Sequence, residues 1–147
     1  MDPKDLTVLG LSKAGKKTII GSLIHMCGLE LMQVSRFKEN GFKSYGDIVS
    51  FYEANQTTPL FYGPSDRFKV ELTTNPHVAF WVVAAADADK GSASRDELTS
   101  LISNQILYPQ ELLVIIINKM DLVGWSEQVV LDFSHTFSRV ASLMPMP

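Results

Sequence analysis

Three short apolar runs constrain the fold of this chain more than any other feature. Each is followed along the chain by a segment whose apolar residues recur at helical spacing. The runs cover residues 6–9, 78–86 and 112–117, and none of them alternates with polar side chains. A strand that is apolar on both sides is buried on both faces, as in a parallel sheet covered by helices. We therefore expect a three-layer α/β domain with a mostly parallel sheet, in which these three runs are adjacent central strands.

Helical spacing and turn chemistry predict the remaining elements. Four segments have apolar residues at helical spacing: Lys16–Cys27, Tyr45–Ala54, 92–107 and 126–137. In the third segment, the residues expected to face the core are Leu98, Leu101, Ile102, Gln105 and Ile106. Ser126 is the expected N-cap of the fourth. Residues 59–62 and 67–72 flank a turn and predict a hairpin. Residues 140–144 have the pattern to begin a final strand.

Length and composition limit the classes of protein to consider. The 147 residues, 46% of them hydrophobic and 20% charged, suit a single domain covering 1–147. The net charge of −3 gives no basic surplus, so no direct nucleic-acid surface is indicated. Cys27 is the only cysteine, which excludes an internal disulfide and favours a cytoplasmic location. The apolar runs are too short to span a membrane, so no membrane partner is expected.

The first chemical motif is a phosphate loop between the first strand and the first helix. Residues 10–16 read GLSKAGK and fit the spacing G-x-x-x-x-G-K, in which backbone N–H groups and a lysine bind phosphate. The expected phosphate-binding residues are Gly10, Ser12, Lys13, Ala14, Gly15, Lys16, Lys17 and Thr18. Lys17 stands where a Ser or Thr hydroxyl normally binds Mg²⁺, so no metal ligand is assigned in this sequence.

The second motif, N-K-x-D, follows the strand at residues 112–117. It consists of Asn118, Lys119 and Asp121. A carboxylate at Asp121 can accept hydrogen bonds from both the N1–H and the exocyclic amine of guanine, whereas adenine would leave it unpaired. Lys119 is expected to lie along the base and steady the phosphate loop, and Asn118 to tie that loop in place. The motif therefore predicts selective binding of guanine.

Together these segments resemble the guanine-nucleotide-binding domain of translational GTPases of the elongation factor 1-alpha group. The resemblance includes Gly15, Lys16, Thr18, Gly21, Leu23 and Ile24 after the phosphate loop, and the run NKMDLVGWSE from Asn118. Residues 82–85 and 94–96 also resemble the corresponding segments of this group, which includes ribosome-rescue and termination-factor GTPases. The resemblance implies a P-loop GTPase-like fold, GTP or GDP as ligand, and ribosome- or translation-associated partners. Residues 1–147 contain no segment that resembles the family's β-barrel domains.

The sequence departs from this family where catalysis takes place. Residues 73–77 read TTNPH where relatives carry D-x-P-G-H. Thr73 therefore occupies the position of the Asp that holds the Mg²⁺ shell, and Pro76 occupies the position of the Gly whose N–H contacts the γ-phosphate. His77 alone persists as a candidate catalytic residue. The resemblance thus implies hydrolysis that is weak or lost, with Mg²⁺ binding in doubt.

The same short segment leaves no room for the family's switch II helix. Because a parallel crossover usually needs about a dozen residues, we expect residues 67–72 and 78–86 to form an antiparallel pair, or the hairpin to be displaced.

Other classes of function remain open from sequence alone. The chain could be a non-catalytic interaction module of GTPase descent or an inactive truncated fragment. A P-loop kinase is a more remote alternative, against which the N-K-x-D motif argues.

Overall fold

The computed structural model describes residues 3–11, 13–27, 41, 44–54, 58–63 and 66–140. Within them, five strands are β1 (Lys4–Gly10), β2 (Leu60–Tyr62), β3 (Arg67–Val70), β4 (Val78–Ala84) and β5 (Leu112–Asn118). Four helices are α1 (Lys16–Cys27), α2 (Tyr45–Ala54), α3 (Gly91–Ser103) and α4 (Glu127–Phe137). Short 3-10 segments cover Ala85–Lys90 and Met120–Val123. The predicted bounds of α1 and α2 agree with these, and Ser126 caps α4 by accepting from the N–H of Val129.

The five strands form one sheet in the order β2-β3-β1-β4-β5, and only β2 is antiparallel to its neighbour. Alternate residues of β4 face opposite helix layers. Trp81 packs with Leu98 of α3 and Phe133 of α4, whereas Val78 packs with β1 and with Leu23 of α1. Burial of a leucine-sized side chain such as Leu98 contributes about 1.5–3 kcal/mol. The predicted three-layer α/β architecture is confirmed.

The connection between β3 and β4 has an unexpected geometry. Leu6 of β1 pairs with Val70 at the end of β3 and, on its other side, with Val78 at the start of β4. The linking residues 71–77 contain no helix and cross over β1, a sideways span of about 10 Å for two strand spacings. They need not travel back along the sheet, because β4 begins at the level where β3 ends. The antiparallel alternative is therefore wrong, and the hairpin is displaced toward the amino end of β1.

A buried hydroxyl holds this crossing segment against the sheet. The side chain of Thr7 is almost fully buried, and its Oγ1 donates to the carbonyl of Glu71 at 2.7 Å. The same oxygen accepts from the N–H of Thr73 at 3.3 Å. The N–H of Glu71 also donates to the carbonyl of Leu6 at 3.0 Å. These bonds give partners to backbone groups of the crossing segment that no strand pairing satisfies.

Two sequence expectations are wrong. β5 lies at an edge of the sheet formed by the described residues, and Leu112 is 53% exposed, because apolar, β-branched composition predicts a strand but not its neighbours. Helix α3 ends at Ser103 because Gln105 adopts φ 58° and the N–H of Ile106 returns to the carbonyl of Leu101. Gln105 and Ile106 are consequently exposed instead of facing the core. The proposed strand at 140–144 lies outside the described residues except for Val140.

No helix among the described residues has the length and apolarity needed to cross a bilayer.

Candidate functional site

The two sequence motifs meet at the carboxyl ends of the parallel strands. Gly10, the last residue of β1, pairs with Val82 of β4, and Ala84 of β4 pairs with Asn118, the last residue of β5. The loop that leads into α1 and the loop that follows β5 therefore emerge from the same edge of the sheet. This edge is where parallel α/β sheets bind their ligands.

Two glycines of the phosphate loop allow close approaches that no other residue could make. A Cβ atom on Gly10 would lie 2.3 Å from the carbonyl oxygen of Val82, so the loop leaves β1 pressed against β4. Gly15 has φ +96°, and a Cβ there would lie 2.2 Å from Nδ2 of Asn118. Each position combines tight packing with backbone freedom that only glycine provides at low cost. The spacing of the two glycines thus reflects contacts with β4 and with the second motif.

Side chains of the second motif hydrogen-bond directly to the phosphate loop. Nδ2 of Asn118 donates to the carbonyl of Ala14 at 3.0 Å, and Nζ of Lys119 donates to the carbonyl of Lys13 at 2.8 Å. The partners are 104 and 106 positions apart in the sequence. The contacts expected of Asn118 and Lys119 with the loop are therefore present, and the two motifs form one connected unit.

Lys16 closes the phosphate loop from its other end. As the first residue of α1, it extends Nζ back to the carbonyl of Gly10 at 3.0 Å. The positive end of the α1 dipole and the backbone N–H groups of its first turn lie beside this ammonium. Lys13 is exposed with φ 66°, Thr18 is exposed on α1, and Ser12 lies outside the described residues. The described part of the loop thus offers positive charge and N–H donors, which suit a phosphate group.

Asp121 provides a hydrogen-bond acceptor in the segment that follows β5. It lies in the 3-10 segment Met120–Val123, which begins after Lys119 turns the backbone with φ 62°. Its side chain is exposed, and no described residue donates a hydrogen bond to its carboxylate. A carboxylate with free lone pairs can accept two N–H donors of a purine edge at once.

Lys17 has a partner that the sequence did not suggest. Its Nζ lies 3.2 Å from Oε2 of Glu53 on α2, and both side chains are more than half exposed. An exposed ion pair of this kind is weak, so other anions can compete for the ammonium. Glu53 lies 36 positions away in a helix of ordinary composition. No local spacing or motif could have linked it to the phosphate loop.

The residues do not fit Mg²⁺ at the position that phosphate loops normally use. Lys17 occupies the place of the Ser or Thr hydroxyl, and an ammonium has no lone pair to offer a cation. Among the described residues, no group of three or more His, Cys, Asp or Glu side chains could hold a metal ion.

His77 lies far from the phosphate loop and from the N-K-x-D residues. It directly precedes β4, and its Nδ1 accepts from the N–H of Asp5 near the start of β1 at 3.0 Å. Val78 pairs with Leu6, whereas the phosphate loop begins at Gly10, four residues further along β1. His77 precedes Val78 by one residue, so at about 3.3 Å per strand residue it lies roughly 16 Å below the loop along the strand direction. The structure places it at the opposite end of the strands.

Comparisons with known proteins identify the fold. No family model and no curated protein matches this sequence. Among solved structures, Sup35 complexed with GDP matches with a TM-score of 0.62 and 21% identity over 94% of this chain. Sup35 complexed with GMPPNP matches with a TM-score of 0.57 and 19% identity over 94% of this chain.

A third solved structure is a signal recognition particle receptor, SRb-GDP-Mg, from Chaetomium thermophilum. Its TM-score is 0.47, with 16% identity over 95% of this chain and 75% of the receptor chain. The present chain spans only 33% of the length of each Sup35 chain. At these identities the likeness to Sup35 establishes the fold, which is that of a P-loop GTPase-like domain.

Proposed function

We propose that this P-loop GTPase-like domain binds guanine nucleotide, GTP or GDP, and hydrolyses it weakly or not at all. The observation that carries the proposal is the pair of hydrogen bonds from Asn118 and Lys119 to the carbonyls of Ala14 and Lys13. These bonds join the loop that would bind phosphate to the element that would bind guanine, which supports a single site for both parts of a nucleotide. The matched Sup35 structures contain GDP and GMPPNP, which supports the same class of ligand.

Different residues would bind the phosphates and the base of the nucleotide. The phosphates would take the N–H groups at the start of α1 and the ammonium of Lys16, which would exchange the carbonyl of Gly10 for a charged oxygen. Asp121 would accept from the N1–H and the amine of guanine. Lys17 would leave Glu53 and neutralise further phosphate charge in place of a cation.

The weakness of hydrolysis follows from the surroundings of the phosphates. His77 lies at the opposite end of β4, and Pro76 has no N–H to offer a γ-phosphate. Without a positioned water and a charge-stabilising donor, phosphoryl transfer has little assistance. We expect purified protein to release phosphate at or below the rate of an unassisted GTPase. Robust release that His77→Ala abolishes would contradict this part of the proposal.

Descent from the elongation factor 1-alpha group belongs to the same proposal. It rests on the two motifs and on the run that follows each. A cytoplasmic location and ribosome- or translation-associated partners go with it.

Titration with a fluorescent GDP derivative tests nucleotide binding directly. Lys16→Ala should weaken binding by at least about tenfold, because a charge-assisted bond to phosphate is lost. Asp121→Asn should reduce the preference for guanine over adenine nucleotides, whereas Asp96→Asn, on exposed α3, should leave it unchanged. A folded protein with a cooperative melt and no measurable binding would refute nucleotide binding and favour an interaction module.

Because Lys17 stands where a Ser or Thr would bind Mg²⁺, we expect nucleotide binding that is nearly insensitive to Mg²⁺. The affinity should fall with added salt, because lysine–phosphate attraction is screened. Lys17→Ser should restore part of the dependence on Mg²⁺, and Glu53→Gln should raise the affinity modestly by releasing Lys17. If EDTA abolishes binding to the unaltered protein, Lys17 does not replace the metal.

A further inference from the structure

A cavity lies behind the phosphate loop, between β4 and the helix layer formed by α3 and α4. Its volume is about 270 Å³. The lining residues are Leu11, Ala14, Val82, Val83, Ala84, Asp87, Gly91, Ser94 and Phe133. The side chain of Phe133 belongs to the core cluster beneath α3 and α4, on the face of the sheet opposite α1. The cavity is therefore distinct from the phosphate-facing side of the loop, although Leu11 and Ala14 form part of its wall.

The lining combines an apolar body with one negative charge. Valine, alanine, leucine and phenylalanine side chains contribute most of the wall, and the hydroxyl of Ser94 already accepts from Nε1 of Trp81 at 2.8 Å. Asp87 is the one charged residue of the lining, and no described side chain forms a hydrogen bond or an ion pair with its carboxylate. It lies where the 3-10 segment Ala85–Lys90 is interrupted, with φ −101° and ψ 40°.

We propose that this cavity binds a small organic cation, with a flat apolar body and one amine or amidinium group. The apolar part would pack against Val83 and the ring of Phe133, and the cationic group would pair with Asp87. A charged carboxylate beside an apolar wall favours a cation of this shape, because a neutral molecule can donate a hydrogen bond but cannot compensate the negative charge. The volume suits a molecule of about ten non-hydrogen atoms, somewhat below drug size.

Occupancy of the cavity is coupled to the front of the loop through Ala14. Ala14 lines the cavity, and its carbonyl holds Nδ2 of Asn118. A ligand that moves Ala14 therefore alters the bond between the two motifs, and linkage requires that nucleotide alter the affinity of that ligand equally. This coupling rests on the proposed nucleotide binding, whereas the cavity site itself does not.

Benzamidine and its neutral analogue benzamide provide a matched pair of probes. In titrations of the nucleotide-free chain followed by backbone amide NMR shifts, benzamidine should shift Asp87 and Gly91, with a dissociation constant on the order of 1 mM. Benzamide should bind about tenfold more weakly. Asp87→Asn should remove this preference while preserving the shape of the cavity.

Substitutions at Gly91 separate a blocked cavity from a disturbed fold. A Cβ there would meet Phe133 and Thr136 at 3.6 and 3.8 Å, which is ordinary contact, so Gly91→Ala should fold normally and bind benzamidine more tightly than a larger replacement does. Gly91→Leu should crowd the ring of Phe133 at the cavity wall and reduce binding by at least about tenfold, and a cooperative melt of this variant would show that the fold persists. Equal shifts with both probes, or binding that survives both Asp87→Asn and Gly91→Leu, would overturn the assignment.

The two proposals fail in different ways. Benzamidine shifts at Gly91 without any binding of fluorescent GDP would support the cavity and refute nucleotide binding. Nucleotide binding without benzamidine shifts would refute the cavity site alone. When both bind, benzamidine should change the affinity for GDP by about twofold to tenfold, and Asp87→Asn should raise the benzamidine concentration needed for that change by about tenfold.

Discussion

Gly15→Ala tests whether the phosphate loop and the second motif are physically joined. The backbone at Gly15 has φ +96°, and a new Cβ would lie 2.2 Å from Nδ2 of Asn118. No atoms can remain at that separation, so the Asn118 side chain would have to move and give up the carbonyl of Ala14. The variant therefore suffers both an unfavourable backbone conformation and a lost hydrogen bond.

The two penalties have separable magnitudes. A non-glycine residue in the left-handed region costs about 1–2 kcal/mol, and loss of the partner of a mostly buried carbonyl costs about 1–3 kcal/mol more. We expect Gly15→Ala to lower the free energy of unfolding by roughly 2–5 kcal/mol, the sum of these contributions. Gly124→Ala is a matched control, because Gly124 has φ +62° but no atom within 4 Å of its Cβ position. It should cost only the backbone share, about 1–2 kcal/mol.

Urea unfolding of both variants, each with and without Asn118→Ala, completes the assay. Once Asn118 is shortened, the collision disappears, and Gly15→Ala should cost no more than Gly124→Ala. The coupling between positions 15 and 118 should then equal the hydrogen-bond share, about 1–3 kcal/mol. Equal costs for Gly15→Ala and Gly124→Ala in the unaltered background, or additive effects of Gly15→Ala and Asn118→Ala, would refute the direct contact.

Two further outcomes are expected. Thr7→Val should lower the free energy of unfolding by about 1–3 kcal/mol, because the segment that crosses from β3 to β4 loses its buried hydroxyl partner. Exposed Thr18→Val should change it by less than about 0.5 kcal/mol, and urea unfolding would compare them. The pKa of Lys4 is raised above its usual 10.5, chiefly by its hydrogen bond to Glu111. The stability from this pair is therefore present below pH 10.5 and lost as pH rises through the raised pKa. The stability difference between the unaltered protein and Lys4→Met should vanish over that range, and a difference that persists at higher pH would contradict the ion pair.

Local patterns predicted most of the elements because they depend on residues close in sequence. The bounds of α1 and α2 follow from apolar spacing, and the N-cap at Ser126 follows from its hydroxyl and the helical pattern after it. The meeting of the two motifs could also be predicted, because carboxyl ends of parallel strands share one edge of a sheet. The C-terminal end of α3 could not be predicted, because Ile106 continues the apolar spacing of the helix although Gln105 turns the backbone.

Features that depend on distant partners were not visible in the sequence. The short link from β3 to β4 works only because both strands pair with Leu6, and no local pattern reports such a stagger. The contact of Lys17 with Glu53 likewise depends on how α2 packs against α1. The position of His77 follows from the same stagger, since the segment aligned with a catalytic motif crosses at the amino end of β4.

The long sequence separation of the loop contacts sets an order of events during synthesis. Residues 10–16 are made early, but the side chains that hold the carbonyls of Lys13 and Ala14 belong to Lys119 and Asn118. Translation at about 5–20 residues per second therefore leaves the loop without these partners for several seconds. Under the proposed function, the nascent chain would acquire nucleotide only after β5 has left the ribosome and docked beside β4. Capture of the ligand would then report that the two ends of the sheet edge have met.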